Sequence, residues 1–154
     1  MERNTRRLLL CGVLTLIMMA VIFLFSAQDG TESGGLSEWL LSTDFGRLLM
    51  KLLPKLSDKG ESFDLRKYAH MTEFALLAVP AFGFFRELLV RRKAPAAFFA
   101  SLFFCFLYAC SDEFHQRFIP GRAGQFTDVL IDMAGVLFGL LFVCMLRYLR
   151  KEAK

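Results

Sequence analysis

The sequence has few charged residues and lacks the common short motifs of soluble enzymes. Asp, Glu, Lys and Arg make up only 22% of its 154 residues, whereas 55% are hydrophobic and fall in long blocks, which indicates a membrane protein. It contains no HExxH motif and no serine or cysteine in the context of a nucleophile elbow. It also lacks repeats and low-complexity segments, so its length predicts one domain over residues 1–154.

The sequence also lacks paired-cysteine motifs and cofactor-binding motifs. The four cysteines lie within apolar blocks and form no CxxC pair: Cys11, Cys105, Cys110 and Cys144. We interpret them as small hydrophobic residues, because redox pairs and structural metal sites have characteristic spacings that are missing here. No cofactor-binding motif occurs, and we expect no cofactor.

Four apolar segments have about the length that a helix needs to cross a bilayer, which is about 20 residues. They cover approximately residues 8–25, 68–86, 94–111 and 128–146. The first segment could instead be a signal peptide, because Arg3, Arg6 and Arg7 precede it and "FSAQ" loosely suits cleavage. Its apolar core is longer than the usual ~7–15 residues, so we favour a retained anchor. The sequence therefore predicts an all-α membrane protein with four transmembrane helices.

The basic residues predict the orientation of these helices. They precede the first segment, separate the second from the third, and follow the fourth: Arg3, Arg6, Arg7, Arg86, Arg91, Arg92, Lys93, Arg147, Arg150, Lys151 and Lys154. Because short connections rich in Lys and Arg stay in the cytoplasm, we expect both termini there, in a multi-pass protein of the cytoplasmic membrane. These membrane flanks also explain the net charge of +4, so we expect no nucleic-acid partner.

The connection between the first two segments contains a candidate interfacial helix over about residues 37–56. It places six apolar residues at helical spacing: Leu41, Phe45, Leu48, Leu49, Leu52 and Leu56. Pro54 should end or kink this helix. The helix could lie along the outer membrane surface with Trp39 near the headgroups, or pack on the top of the protein, and the sequence favours neither arrangement.

Helix alternation should bring the polar ends of all four segments to one side of the membrane. The polar residues at these ends are Ser26, Gln28, Arg66, Lys67, His70, Glu73, Asp112, Glu113, His115, Gln116, Asp128 and Asp132. An ionised group in hydrocarbon is costly unless it faces a partner inside the bundle. We therefore expect these residues to form a polar pocket, with purely structural pairing as the alternative.

A GxxxG step supports this arrangement. Gly135 and Gly139 follow Asp132 at i+3 and i+7, so they continue the helix face that carries Asp128 and Asp132. Such a step lets a neighbouring backbone approach closely. We expect a close helix contact directly below the acids.

The pocket contains groups suited to proton transfer. His70 or His115 could serve as a general base, with Glu73 or Asp128 as the acid that orients the ring. The candidate catalytic residues are His70, Glu73, Asp112, Glu113, His115, Gln116, Asp128 and Asp132. Two histidines and several carboxylates could also hold a divalent metal, but no typical ligand spacing occurs, and we expect no metal site.

The same pocket contains groups suited to anion binding. Arg122 follows the Pro120–Gly121 turn and could present its planar guanidinium to a phosphate or carboxylate, or pair with nearby acids. The candidate ligand-binding residues are Arg122, Lys67, Arg66, Gln28 and Ser26.

Several stretches resemble the VanZ-like family of small bacterial membrane proteins. They are "FSAQ" at 25–28, "RKYAHMTEF" at 66–74, "YACSDEFHQRFIPGR" at 108–122 and "DVLIDMAG" at 128–135. The resemblance implies a polar signature of Lys67, His70, Glu73, Asp112, Glu113, His115, Gln116, Arg122 and Asp128. Phe74 and Asp132 depart from the family pattern, in which we expect tyrosine and asparagine.

The resemblance implies a protein of the bacterial cell envelope, in a family whose founding member is linked to resistance to the glycopeptide teicoplanin. Two hypotheses follow: a membrane-embedded enzyme that acts on an amphiphile, such as a lipid-linked wall precursor, or a non-catalytic factor that binds a lipid headgroup or an antibiotic. The expected partners are thus membrane lipids or a lipid-linked envelope molecule. A small transporter is disfavoured, because four helices leave little room for a pathway.

Overall fold

The structure is a computed structural model that describes residues 2–56, 60–89 and 94–152. These ranges contain no strand and form six helices: α1 (Glu2–Ser26), α2 (Gly30–Ser42), α3 (Asp44–Leu52), α4 (Glu61–Leu88), α5 (Ala94–Gln116) and α6 (Phe126–Glu152). The all-α prediction is therefore confirmed. Of the basic residues used to predict orientation, Arg91, Arg92, Lys93 and Lys154 lie outside the described residues, as does the side chain of Arg3.

Among the described residues, three helices are long and apolar enough to cross a membrane. They are Asn4–Ser26 of α1, Pro95–Gln116 of α5 and Phe126–Glu152 of α6. Their outer faces expose large apolar side chains, such as Leu9 at 63%, Phe103 at 62% and Phe138 at 69%. Such continuous apolar surface indicates contact with lipid. The chain is therefore a membrane protein.

The predicted segment at 68–86 lies within α4 and does not qualify as a span by composition. The first half of α4 carries acids, bases and a histidine, which lower its mean hydropathy. The structure shows why these residues are tolerated: α4 is the central helix and contacts α1, α2, α5 and α6. Phe74, Leu77 and Phe82 of α4 are almost fully buried, and they form the core with Ile22 of α1 and Leu140 of α6.

Small residues bring α6 close to α4. A Cβ atom at Gly135 would collide with the carbonyl oxygen of Met71, and one at Gly139 would collide with that of Ala75. The close helix contact predicted from the GxxxG step is therefore confirmed.

Four helix ends meet at one end of the bundle, which we call the polar end. The end of α1 meets the end of α5 through Ser26 and Asp112, and the start of α4 meets the start of α6 through Lys67 and Asp128. At the opposite end of α4, Gly83 lies against Cys11, near the start of α1. The helices therefore run alternately up and down, as helix alternation predicts.

The single helix predicted over 37–56 is in fact two helices, α2 and α3, which form a helical hairpin. Thr43 separates them, because its hydroxyl accepts a hydrogen bond from the Gly46 N–H at 3.1 Å and donates one to the Leu40 carbonyl at 2.6 Å. Gly46 permits the tight corner, since a Cβ atom there would collide with the Leu40 backbone. Helix α3 ends at Leu52, just before Pro54, as predicted.

The hairpin packs on the start of α4. The Tyr68 hydroxyl donates to the Pro54 carbonyl at 2.5 Å, and the Leu56 N–H donates to the buried Asp64 carboxylate at 3.2 Å. Met50 of α3 is buried in the same contact.

The other face of α3 exposes Phe45, Leu48 and Leu52. Of the two arrangements expected for this segment, the structure shows packing on the protein, and it leaves the other face of α3 apolar and exposed.

Candidate functional site

A buried hydrogen-bonded triad joins α1 to α5 at the polar end. The Ser26 hydroxyl donates to Asp112 Oδ2 at 2.8 Å, and the Gln116 amide donates to Ser26 Oγ at 2.8 Å and to Asp112 Oδ2 at 2.9 Å. All three side chains are buried. These three hydrogen bonds hold the two helix ends together, while Asp112 Oδ1 has no hydrogen-bond partner among the described residues.

An ion pair joins α4 to α6 beside the triad. Lys67 Nζ lies 2.5 Å from Asp128 Oδ1, and both side chains are largely shielded from solvent. The Lys67 ammonium also lies 5.1 Å from the centre of the Phe63 ring, one turn earlier on α4. This pair holds the start of α4 against the start of α6.

His70 lies between an acid and a base. Its Nδ1 is 3.7 Å from Glu73 Oε2 on the next turn of α4, and its Nε2 is 3.5 Å from Arg122 Nη1. Arginine can only donate, so we assign the ring proton to Nδ1, facing Glu73, and the lone pair to Nε2. At 3.7 Å the Glu73 carboxylate is a neighbouring charge and not a hydrogen-bond partner, and Nε2 is the ring nitrogen that can accept a proton.

Arg122 is positioned by the turn that precedes it. The Arg122 N–H donates to the Ile119 carbonyl at 3.1 Å, and Gly121 has φ 73°, as a type II turn requires at this position. The guanidinium donates from Nη2 to the Phe25 carbonyl at 3.1 Å, at the end of α1. Burial, and then the nearby Arg66 guanidinium, lower the pKa of Arg122 from its ordinary value. An anion bound here would be stabilised by both cations.

Arg122 also keeps a donor for such an anion. Its Nε is buried and has no hydrogen-bond partner among the described residues. A buried donor without an acceptor is costly, so a bound anion would relieve this cost.

A polar cavity of about 220 Å³ lies between α4, the end of α5, the loop that follows α5, and α6. Its lining residues are Phe63, Arg66, Lys67, His70, Glu113, Gln116, Gly121, Arg122, Ala123, Gln125, Asp128, Ile131 and Asp132. Asp132 is 2% exposed, and its Oδ2 has no hydrogen-bond partner in the described part of the chain. Glu113 accepts a hydrogen bond from the Gln125 N–H at 2.9 Å, which ties the loop to α5.

A second, mainly apolar cavity of about 620 Å³ lies between α4, the end of α1 and the hairpin, and we call it the apolar cavity. Its lining residues are Phe25, Gln28, Ser37, Leu40, Leu49, Leu53, Leu65, Arg66, Tyr68, Ala69, His70, Met71, Thr72, Glu73 and Arg122. Arg66, His70 and Arg122 therefore line both cavities.

The predicted site residues divide into three groups. Those on the polar cavity are Arg66, Lys67, His70, Glu113, Gln116, Arg122, Asp128 and Asp132, whereas Glu73 and Gln28 line only the apolar cavity. Ser26, Asp112 and His115 line neither. The His115 ring stacks on Phe23 of α1, with 4.6 Å between ring centres. Of the two histidines, His70 alone lines the cavities, so a ligand in either cavity would contact His70 and not His115.

Sequence reasoning missed five lining residues of the polar cavity: Phe63, Gly121, Ala123, Gln125 and Ile131. Phe63 precedes Arg66 and Lys67 by three and four residues, so its place on their helix face could have been inferred. Gln125 takes part through its backbone N–H, which donates to Glu113. A pattern of side chains in the sequence cannot predict such a backbone contact. Within residues 2–56, 60–89 and 94–152, no three His, Cys, Asp or Glu side chains are arranged to hold a metal ion.

Comparison with known proteins gives one family match. The model of the VanZ/LLP1 family matches residues 11–147, a range that contains every residue of both cavities. No curated protein matches the chain, and no solved structure matches it.

Proposed function

Since the chain belongs to the VanZ/LLP1 family, we propose that it is a bacterial cell-membrane protein whose polar cavity binds the headgroup of an envelope amphiphile. We further propose that it is an enzyme, in which His70 acts on this headgroup as a general base. The observation that carries the proposal is the position of His70, with Glu73 at one ring nitrogen and Arg122 at the other. A histidine close to a carboxylate, beside a cation that can hold an anion, is a common basis of proton-transfer catalysis.

A bound anion would make Nε2 of His70 available as a base. Without a ligand, Arg122 Nη1 faces His70 Nε2. An anionic headgroup would draw the guanidinium toward itself, and Nε2 could then take a proton from water or from a ligand hydroxyl. Among the described residues, no serine, threonine or cysteine lines the polar cavity, so the nucleophile in this proposal is one of those two.

We also propose that the chain crosses the membrane four times, with α4 as a crossing helix in addition to α1, α5 and α6. Because α1 and α5 end on the same side, joined by Ser26 and Asp112, the chain has to return across the bundle between them. Helix α4 runs from Lys67 at the polar end to Gly83 beside Cys11. Its 28 residues span about 42 Å at 1.5 Å per residue, more than the roughly 30 Å of the hydrocarbon core.

The charges support an outward-facing polar end. Arg6, Arg7, Arg86, Arg147 and Arg150 all lie at the opposite end, at the start of α1 and the ends of α4 and α6. Following the positive-inside rule, we place both termini in the cytoplasm and the polar end outside.

Cysteine labelling tests this orientation. In a variant without the four native cysteines, a membrane-impermeant maleimide should label Thr127→Cys in intact cells, because Thr127 is exposed at the polar end. Arg150→Cys, at the other end of α6, should be labelled only after the membrane is permeabilised. The opposite pattern would reverse the orientation.

A non-catalytic factor is the second candidate, and the triad and the Lys67–Asp128 pair favour it. The hydrogen bonds of the triad join α1 to α5 and the ion pair joins α4 to α6, so much of the polar end serves to hold helices together. Such a protein would bind a lipid headgroup or a glycopeptide such as teicoplanin and alter its access to the envelope.

Lipid profiling separates the two candidates. Mass spectrometry of envelope lipids, from cells with and without the protein, should show at least one amphiphile depleted and a product in its place. An unchanged lipid profile, together with a higher teicoplanin concentration needed to inhibit growth, would reject the enzyme and favour the binding factor.

A further inference from the structure

The chemistry proposed for His70 does not use most of the apolar cavity. Its volume of about 620 Å³ is within the roughly 300–1,000 Å³ typical of small-molecule sites. Leu40, Leu49 and Leu53 of the hairpin form one wall, and Leu65 and Met71 of α4 form another. Water finds few hydrogen-bond partners on such walls, so the cavity suits an apolar occupant.

The junction between the two cavities has the opposite character. Arg66, His70 and Arg122 line both cavities, and the buried Nε of Arg122 has no partner among the described residues. The Arg66 and Arg122 guanidinium groups at the junction favour an anion, whereas the walls beyond them favour hydrocarbon. A single molecule that meets both requirements is an amphiphile with an anionic headgroup.

We propose that the apolar cavity holds a hydrocarbon chain of this amphiphile, and that its phosphate or carboxylate lies against Arg122. The inference rests on the headgroup site proposed above and names the chemical class of its ligand. The protein therefore takes up part of the chain as well as the headgroup, so the ligand is partly withdrawn from the bilayer.

The hairpin explains how such a chain enters. Leu49 and Leu53 of the hairpin face the cavity, whereas Phe45, Leu48 and Leu52 are exposed on the outside. A short segment with apolar residues on its outer face is suited to the boundary between headgroups and hydrocarbon. The ligand then reaches the cavity from the bilayer rather than from water.

Tryptophan fluorescence can test for this occupant, because the chain has one tryptophan. In a Trp39→Phe background, Leu49→Trp places a reporter in the apolar cavity, and Phe103→Trp places one on the exposed side of α5. Each protein is put into phosphatidylcholine nanodiscs that contain a small share of lipid brominated on its chains. The brominated lipid is either phosphatidylglycerol or phosphatidylcholine.

We expect brominated phosphatidylglycerol to quench the Leu49→Trp reporter at about one tenth of the concentration that brominated phosphatidylcholine requires. Both lipids carry a phosphate, but phosphatidylglycerol is a net anion, whereas the choline cation of phosphatidylcholine offsets its phosphate and is repelled by Arg66 and Arg122. The Phe103→Trp reporter faces bulk lipid and should be quenched equally by both. Adding Arg122→Gln should abolish the preference at the cavity reporter. Met71→Trp provides a second cavity reporter if Leu49→Trp does not fold. Equal quenching by the two lipids at the cavity reporters, or no quenching, would overturn the inference.

Two combinations of results separate this inference from the proposed enzyme. If the cavity reporters prefer phosphatidylglycerol but the envelope lipid profile does not change, the chain site is supported and conversion is rejected. If the lipid profile changes but the reporters show no preference, conversion is supported and the chain site is overturned.

Discussion

Replacing His70 with glutamine should lower conversion of the envelope amphiphile by about 10²–10⁴-fold, the usual contribution of general acid–base catalysis. Glutamine has a similar size and can still accept a hydrogen bond from Arg122, but it cannot take up a proton at neutral pH. The protein should therefore remain in the membrane at normal abundance. Mass spectrometry of the lipid, divided by the amount of protein on an immunoblot, measures the loss.

His115→Gln is the matched control for this substitution. The sequence suggests either histidine as the base, but His115 stacks on Phe23 and lines neither cavity. Its replacement should leave both conversion and abundance close to those of the unmodified protein. Loss of conversion in His115→Gln alone would show that His70 is not the base. Full conversion in both variants would end the catalytic hypothesis.

Replacing Lys67 with methionine should lower the free energy of unfolding by about 3 kcal/mol, the lower end of the range for breaking a buried ion pair. The lower end applies because the Lys67 and Asp128 side chains keep 11% and 20% of their surface exposed. The loss arises because the Asp128 carboxylate would remain largely shielded from solvent without its cation. Thermal unfolding in detergent and abundance in the membrane both measure it.

A second substitution tests this explanation. Adding Asp128→Asn to Lys67→Met removes the unpaired charge and should recover most of the loss. Asp44→Ala is the control, because Asp44 pairs with Arg47 at 3.1 Å on an exposed surface, where ion pairs contribute little. If Lys67→Met proves as mild as Asp44→Ala, the pair does not hold α4 to α6.

The gathering of polar residues could be predicted because it depends only on the order of the helices. Apolar segments that alternate across a bilayer must bring their facing ends together, whatever their detailed packing. The Ser26–Asp112 and Lys67–Asp128 contacts follow from this rule. The family match over residues 11–147 likewise confirms a resemblance that short stretches of sequence already indicated.

The rotation of each helix about its axis could not be predicted in the same way. Asp112 and Gln116 are four residues apart and share the face of α5 that meets Ser26. His115 lies about 100° around the helix from Gln116 and about 60° from Asp112, because α-helices have 3.6 residues per turn. Its contact with Phe23 therefore depends on how α5 is turned toward α1.

Tertiary contacts also explain the other differences. The mean hydropathy of α4 depends only on its composition. It does not take into account the burial of α4 against α1, α5 and α6. The break between α2 and α3 depends on the close approach of Gly46 to the Leu40 backbone, although the Thr43 cap could have been read from the sequence. The apolar cavity lies between α1, the hairpin and α4, which are consecutive in the chain, and its shape depends on how these helices fold back on one another and on the approach of Arg122.

The central position of α4 has a consequence for biosynthesis. The ribosome makes α4 before either of the two helices that follow it, and Asp128, the partner of Lys67, emerges 61 residues after it. During that interval the first half of α4 has charged groups but none of the contacts with α6 that offset their cost in hydrocarbon. The helix at the centre of the finished protein is thus the one least able to enter the bilayer by itself. In the proposed arrangement with four crossings, its insertion would depend on the part of the chain still to be made.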